Sequence, residues 1–467
     1  MKAHLSHFAA AVAAAVSVSA FADEKVSREE DRTEVAVTIY NDSLALIREV
    51  RKVALDKGDN RIGLRDVSGK MRPETASLRA LSGGAFRLVE QNFDFDLLTP
   101  QKLLEKYVGK TITVIKTNPA TGAETREEAQ VLATNSGVVL KYADRIETGV
   151  PGRIAYGAIP GNLRDRPTLV VQVESDTAGA REVELSYLSG GLSWRADYVA
   201  TLSRDESKLD LAGWVTLTNQ SGTGYANAKL QLVAGDLNRV REERRTDFAA
   251  KTVMAAPAPQ MAQENLFEYH LYTLGRPTSI LDNQTKQVAL LSASGVPVRK
   301  EYLLTGQNWY YRSAASDLGT KQTVAVYMEF ENRGGELGVP LPKGVVRVYK
   351  SDSKGNALFV GEDAIDHTAK NEKVRLKLGD AFDVTATRKQ TSFRKISSDV
   401  YESAYRIELN NAKDVPVTVK VVEPVSGDWE IISESHRHSK GEAHAAVWLI
   451  TVPTDSKAVL EYTARIH

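Results

Sequence analysis

Cysteine is missing from this chain altogether. That excludes disulfides, thiolate nucleophiles and cysteine-ligated zinc. A chain without disulfides must hold itself together by burying apolar surface in sizeable cores. An excess of either charge is missing too, since 60 Lys and Arg balance 60 Asp and Glu. No long-range field then steers the protein to nucleic acid or to anionic lipid. Long apolar runs are scarce. The longest, 8–18, has eleven residues, short of the roughly 20 that a membrane span needs, so no transmembrane segment is expected. The HExxH, GxSxG and GxGxxG signatures are absent, which removes the usual marks of zinc proteases, serine hydrolases and dinucleotide enzymes. Gly109-Lys110-Thr111 imitates the end of a phosphate-binding loop, but position 104, where that loop needs glycine, is Leu104. The surrounding order, helix then strand, also inverts the motif. No cofactor is implied.

What is present begins with an address. Lys2 precedes the run 8–18, which contains only Ala, Val, Phe and Ser, and Ala20-Phe21-Ala22 offers small residues at positions a signal peptidase reads. The expected mature N-terminus is Asp23, in the periplasm or beyond, with the bacterial periplasm as the setting. Without 1–22 the balance is 59 basic against 60 acidic residues.

Period-two alternation dominates the rest. Val35, Val37 and Ile39 alternate with smaller or polar residues, as do Val183, Leu185 and Tyr187, and Leu209, Leu211, Val215 and Leu217 keep one parity. The signal strengthens at Val324, Val326, Met328 and Phe330; at Val374, Leu376 and Leu378; at Val415, Val417, Val419 and Val421; and at Leu460, Tyr462, Ala464 and Ile466. Short alternating runs punctuated by turns such as Ser426-Gly427-Asp428 specify half-buried strands. The fold class is all-β: tandem antiparallel β-sandwich domains, a small inserted SH3/Sm-like barrel and a C-terminal immunoglobulin-like sandwich.

The barrel module announces itself by one short helix. Thr99 suits the N-cap, Pro100 the first helical position and Gly109 the residue past the end. Strands follow near 111–115, 130–132 and 138–140. A second break runs through 241–263, where dense charge gives way to Ala255-Ala256-Pro257-Ala258-Pro259; this composition reads as a mobile loop. The apolar stretch 266–274 after it is expected to dock. The resulting division is a signal peptide at 1–22, an N-terminal β domain at 23–98, the helix-plus-barrel module at 99–160, a central β domain at 161–310 and a C-terminal sandwich at 311–467.

Three groups of residues carry candidate chemistry. His436, His438 and His444 are the metal candidates, with 436 and 438 placed on one strand face; the competing reading is an exposed hairpin tip. Glu362, Asp363, Asp366 and His367 bring three carboxylates and an imidazole together, but a turn between strands with aspartates capping backbone amides is the favoured account. Trp309, Tyr310 and Tyr311 are the ligand-binding candidates, a stacking platform for sugar rings with Tyr310 on the face opposite its neighbours. Against this stands the usual place of aromatics in sheet cores, as for Trp194 and Tyr198 on one strand face. No catalytic residue is assigned.

LSYLSGGLSWRADY at 185–198 and GWVTLTN at 213–219 resemble the bacterial envelope proteins grouped as the domain of unknown function 4139 family, which includes the mucoidy inhibitor A proteins. The resemblance continues through LFEYHLYTL at 266–274, LPKGVVRVY at 341–349 and FVGEDAIDHT at 359–368, and covers roughly residues 170–467. The family transfers no catalytic residues. Some relatives carry a coiled coil where this chain has the small module. Together these readings imply an exported envelope protein that binds or scaffolds a protein or polysaccharide partner, with no nucleic acid. The alternative is a hydrolase of cell-envelope glycans whose acids come from separate strands.

Overall fold

The computed structural model describes residues 23–41, 43–161, 163–235, 261–315, 318, 321–334, 336–441 and 444–467. The expected leader, 1–22, lies outside them. So does the expected loop at 241–263 apart from its last three residues, of which Met261 is buried and the next two begin the strand Ala262–Leu266. Of the stretch 266–274 expected to dock, Tyr269–Thr273 is a strand with Leu271 and Tyr272 buried, whereas Leu266 and Phe267 are exposed. No helix among the described residues is long and apolar enough to cross a membrane.

The protein is all-β, as the alternation implies, because side chains at every second position share one face of a strand. Val183, Leu185 and Tyr187 are buried, as are Leu209, Leu211, Val215 and Leu217, and Val417, Val419 and Val421. Val415 is exposed and precedes its strand, Val417–Pro424.

Two compact units make up the chain. The first comprises residues up to 37, together with 46–191 and 220–228. One of its sheets has the order Lys25–Ser27, Gly58–Arg65, Thr168–Ser175, Phe86–Asp94. The first pair is parallel, a departure from the antiparallel expectation. Pro100–Lys106 is the expected helix: Thr99 Oγ1 accepts a 3.1 Å hydrogen bond from the Lys102 amide, and Gly109 takes a φ of 84°, which glycine adopts without Cβ strain. The strands after it form a sheet in the order Ile146–Thr148, Val139–Lys141, Glu124–Ala133, Thr111–Thr117, Arg153–Ala155. Tyr107, Ile112, Val114, Val131 and Leu140 form its core. The expected barrel is corrected here. The two end strands, of three residues each, pair only with one neighbour, too short to complete the staggered ladder that closure requires.

The second unit comprises 38–45, 192–219 and the chain from 229 onward. Leu192–Leu202 and Lys208–Asn219 pair antiparallel, and Gly344–Ser351 joins Leu192–Leu202 in parallel, carrying Ala357–Ile365 at the sheet's end. Gln284–Thr305, with 22 residues, far exceeds the short strands expected. Its first half pairs with Lys208–Asn219, and the register shifts opposite Leu209 to Leu211, where Gly295 takes a φ of 64°. A bulge of this kind bends a strand without ending it. The second half pairs antiparallel with Gln322–Glu331 and parallel with Val417–Pro424. There begins the C-terminal sandwich, whose core holds Val324, Val384, Tyr405, Ile407, Val419, Trp448, Ile450 and Tyr462.

Candidate functional site

Alternation along Leu192–Leu202 sends Leu192, Trp194, Ala196, Tyr198, Ala200 and Leu202 into the core. Arg195 and Asp197 necessarily take the other face. Strand pairing then gathers distant residues around them. Arg195 lies opposite Thr216, and Thr216 opposite Gln287. Asp197 lies opposite Val345, and Arg347, two residues further along that strand, faces Glu362.

The centre of this array is Asp197, whose side chain is 4% exposed. Thr216 Oγ1 and Arg195 Nε donate to its Oδ2 at 2.7 and 3.1 Å, and Arg347 Nη1 donates to Oδ1 at 3.0 Å. Gln287 Nε2 donates to Thr216 Oγ1 at 3.1 Å, which orients the hydroxyl toward the carboxylate. Arg347 Nε is 3.1 Å from Glu362 Oε2. Burial pushes the Asp197 carboxyl upward, but the hydrogen bonds from Thr216 and Arg347 and the Arg195 charge outweigh it and hold the group below the usual carboxylate range. Asp197 is therefore an ionised anchor that fixes two guanidinium groups. The Arg195 and Glu362 side chains are 44% and 52% exposed, so the array has a solvent side. Along the same face Tyr349 lies opposite Phe359, their rings edge to face at 5.6 Å, and Phe359 is 56% exposed. Such an arrangement can receive a partner that offers hydrogen-bond acceptors beside apolar surface.

A second polar cluster lies wholly inside the C-terminal sandwich. Tyr311 Oη donates to Glu423 Oε2 at 2.9 Å and lies 2.9 Å from Tyr462 Oη, while Arg388 donates to the other oxygen of Glu423. The side chains of Arg388 and Glu423 are fully buried. Burial raises the Glu423 carboxyl above its ordinary range.

The residues singled out from sequence are placed as follows. Asn308–Tyr311 is a 3₁₀ turn, so the strand alternation expected for the aromatic triplet does not apply. Trp309 is 56% exposed, but Tyr310 and Tyr311 are buried, and a platform of three rings is not formed. His436 and His438 lie in an irregular turn after the strand Trp429–Glu434, which corrects their expected place on one strand face. His436 Nδ1 is 3.0 Å from Ser435 Oγ, and His438 Nδ1 is 2.9 Å from Glu434 Oε2. His444 takes a φ of 71°, its carbonyl accepting from the Val425 amide. Among the described residues no group of three or more His, Asp or Glu is disposed to hold a metal. Of the acidic group, Glu362 and Asp363 belong to a strand and not to a turn. Asp363 does accept from backbone amides, those of Ala364 and Lys377, at 2.9 and 2.7 Å. His367 Nδ1 accepts from the Lys343 amide at 3.2 Å.

Sequence reasoning missed the Asp197 array. Its one local signal was Arg195 and Asp197 on the polar parity of an apolar strand; Arg347 is 150 residues away, and only the parallel pairing brings it near.

A family model described as "Domain of unknown function (DUF4139)" matches residues 183–467. The match spans more than half of the chain, and the chain belongs to that family. A search of curated proteins found no match.

Proposed function

We propose that this family member is an exported cell-envelope protein that binds or scaffolds a partner, protein or polysaccharide, on the sheet face around Asp197. The observation that supports it is the pair of guanidinium groups of Arg195 and Arg347, held by one buried carboxylate beside the exposed Glu362 and Phe359. Donors fixed in advance lose little rotamer entropy on binding, which leaves more of the contact energy as affinity. The short apolar leader ending in Ala20-Phe21-Ala22 supports the address.

The test uses the chain from Asp23 immobilised and exposed to native envelope extract and to envelope polysaccharide. Retention of a partner by the wild type, and its loss in Arg195→Ala/Arg347→Ala at a temperature where circular dichroism shows the variant still folded, is the expected result. Retention undiminished in the double variant removes this face from the binding site. Intact-mass measurement of periplasmic extract is expected to place the N-terminus at Asp23; a full-length cytoplasmic form refutes the address.

A further inference from the structure

The aromatic triplet at 309–311 continues into the sandwich as a file of rings. Trp309 meets Tyr310 edge to face at 4.7 Å, Tyr310 lies 6.4 Å from Tyr405, and Tyr405 lies 5.3 Å from Tyr311 and 5.4 Å from Tyr462. Trp309 is exposed, whereas the four tyrosines are buried. The file ends on a base. Tyr311 Oη donates to Glu423 Oε2 at 2.9 Å and neighbours Tyr462 Oη at 2.9 Å. Tyr405, by contrast, donates to the backbone carbonyl of Tyr310, and a peptide oxygen is too weak a base to keep a phenolic proton.

We propose that Trp309, Tyr310 and Tyr405 conduct a one-electron oxidising equivalent from the surface to Tyr311, with Glu423 as the proton acceptor. Losing an electron makes a phenol strongly acidic, so tyrosine oxidation is favourable only where a base takes the proton. In this file Tyr311 has a carboxylate in hydrogen-bond contact, and burial raises the affinity of Glu423 for a proton.

The step balances. A one-electron oxidant of the peroxyl or azidyl radical class removes one electron from the Trp309 indole and leaves as its anion. Tyr311 returns one electron to Trp309 through Tyr405 and Tyr310, and the exposed indole takes back from water the N–H proton that its radical cation had released. The Tyr311 Oη–H bond breaks, an O–H bond forms on Glu423 Oε2, and a neutral phenoxyl radical remains on Tyr311. Tyr462 Oη is placed to donate a hydrogen bond to that radical oxygen. The device suits a chain with no thiol and only five methionines, in which the sulfur groups that usually absorb oxidants are scarce. The radical ends in the core, away from solvent and other molecules.

Pulse radiolysis of the chain from Asp23 with azidyl radical tests this. The wild type is expected to show an indolyl absorption that decays as a phenoxyl absorption grows, at a rate independent of protein concentration. Trp309→Phe, a change at an exposed ring, loses this conversion phase. Tyr311→Phe and Glu423→Gln lose the growth of the long-lived phenoxyl. Those two changes alter a buried network, so the wild type in D₂O supplies a reading that needs no variant: phenoxyl growth slows relative to H₂O. Undiminished conversion in Trp309→Phe overturns the path, and equal growth rates in H₂O and D₂O overturn the proton transfer to Glu423.

Discussion

Thr216 donates a 2.7 Å hydrogen bond to Asp197 across two paired strands, and both residues are buried on a face whose neighbouring side chains reach solvent. The pair joins the two family phrases that begin at 185 and 213, and it fixes the charge state on which the surface array depends.

Asp197→Asn is expected to lower unfolding stability by about 2 kcal/mol, the scale of lost hydrogen bonds to a charged group. Arg195 and Arg347 lose their common anchor in the same change. Thr216→Val, which removes one donor, is expected to cost about 1 kcal/mol. Urea unfolding of both variants measures this; a neutral Asp197→Asn shows that the array contributes nothing to the fold.

Asp197 and Glu423, both buried, make opposite contributions to the pH dependence. Asp197 has a folded value below its unfolded one, so its stabilisation is present above the unfolded value and lost as pH falls through the folded value. Glu423 has a raised folded value. Between its unfolded and folded values the native state holds a proton that the unfolded chain has released, so stability declines as pH rises through that window. Unfolding free energy measured against pH is expected to lose the acid-side decline attributable to Asp197 in Asp197→Asn, and to lose the decline attributable to Glu423 in Glu423→Gln. Parallel curves for either variant and the wild type contradict that assignment.

Gly344 sits where the parallel strands meet, opposite Ala196. A Cβ there falls well inside contact distance of the Ala196 carbonyl, and a backbone group cannot swing aside as a side chain does. Gly344→Ala is therefore expected to destabilise by about 1–3 kcal/mol, as overpacking does. It should also loosen Arg347, three residues on. Thermal unfolding and hydrogen exchange over 344–351 report both effects.

Trp309 and Tyr311 are two residues apart and are expected to respond differently to truncation. Trp309→Ala, at an exposed ring, should stay within about 0.5 kcal/mol of the wild type. Tyr311→Ala removes a fully buried ring and should cost about 3–5 kcal/mol. Equal losses in a denaturant titration refute the placement of the turn.

The Thr99-Pro100…Gly109 helix and most strand faces were legible because their causes are local. An N-cap side chain bonds an amide three residues on, and alternation needs only neighbours. The aromatic triplet misled because one strand period was assumed through 309–311. A 3₁₀ turn follows a period near three, and here it exposes Trp309 and buries both tyrosines.

By itself the sequence determined that this protein is all-β, where its short helix lies, which side chains of each strand are apolar, and which family it resembles. Tertiary structure decided what meets on the other side of those strands. Asp197 finds Arg347 through a parallel pairing, and Glu423 finds Arg388 and Tyr311 across the core of a sandwich. Such pairings depend on strand order and on which of the registers of equal parity is taken, which period-two patterning does not encode: a strand's alternation is the same whichever neighbour it takes, and is preserved by a slip of two residues.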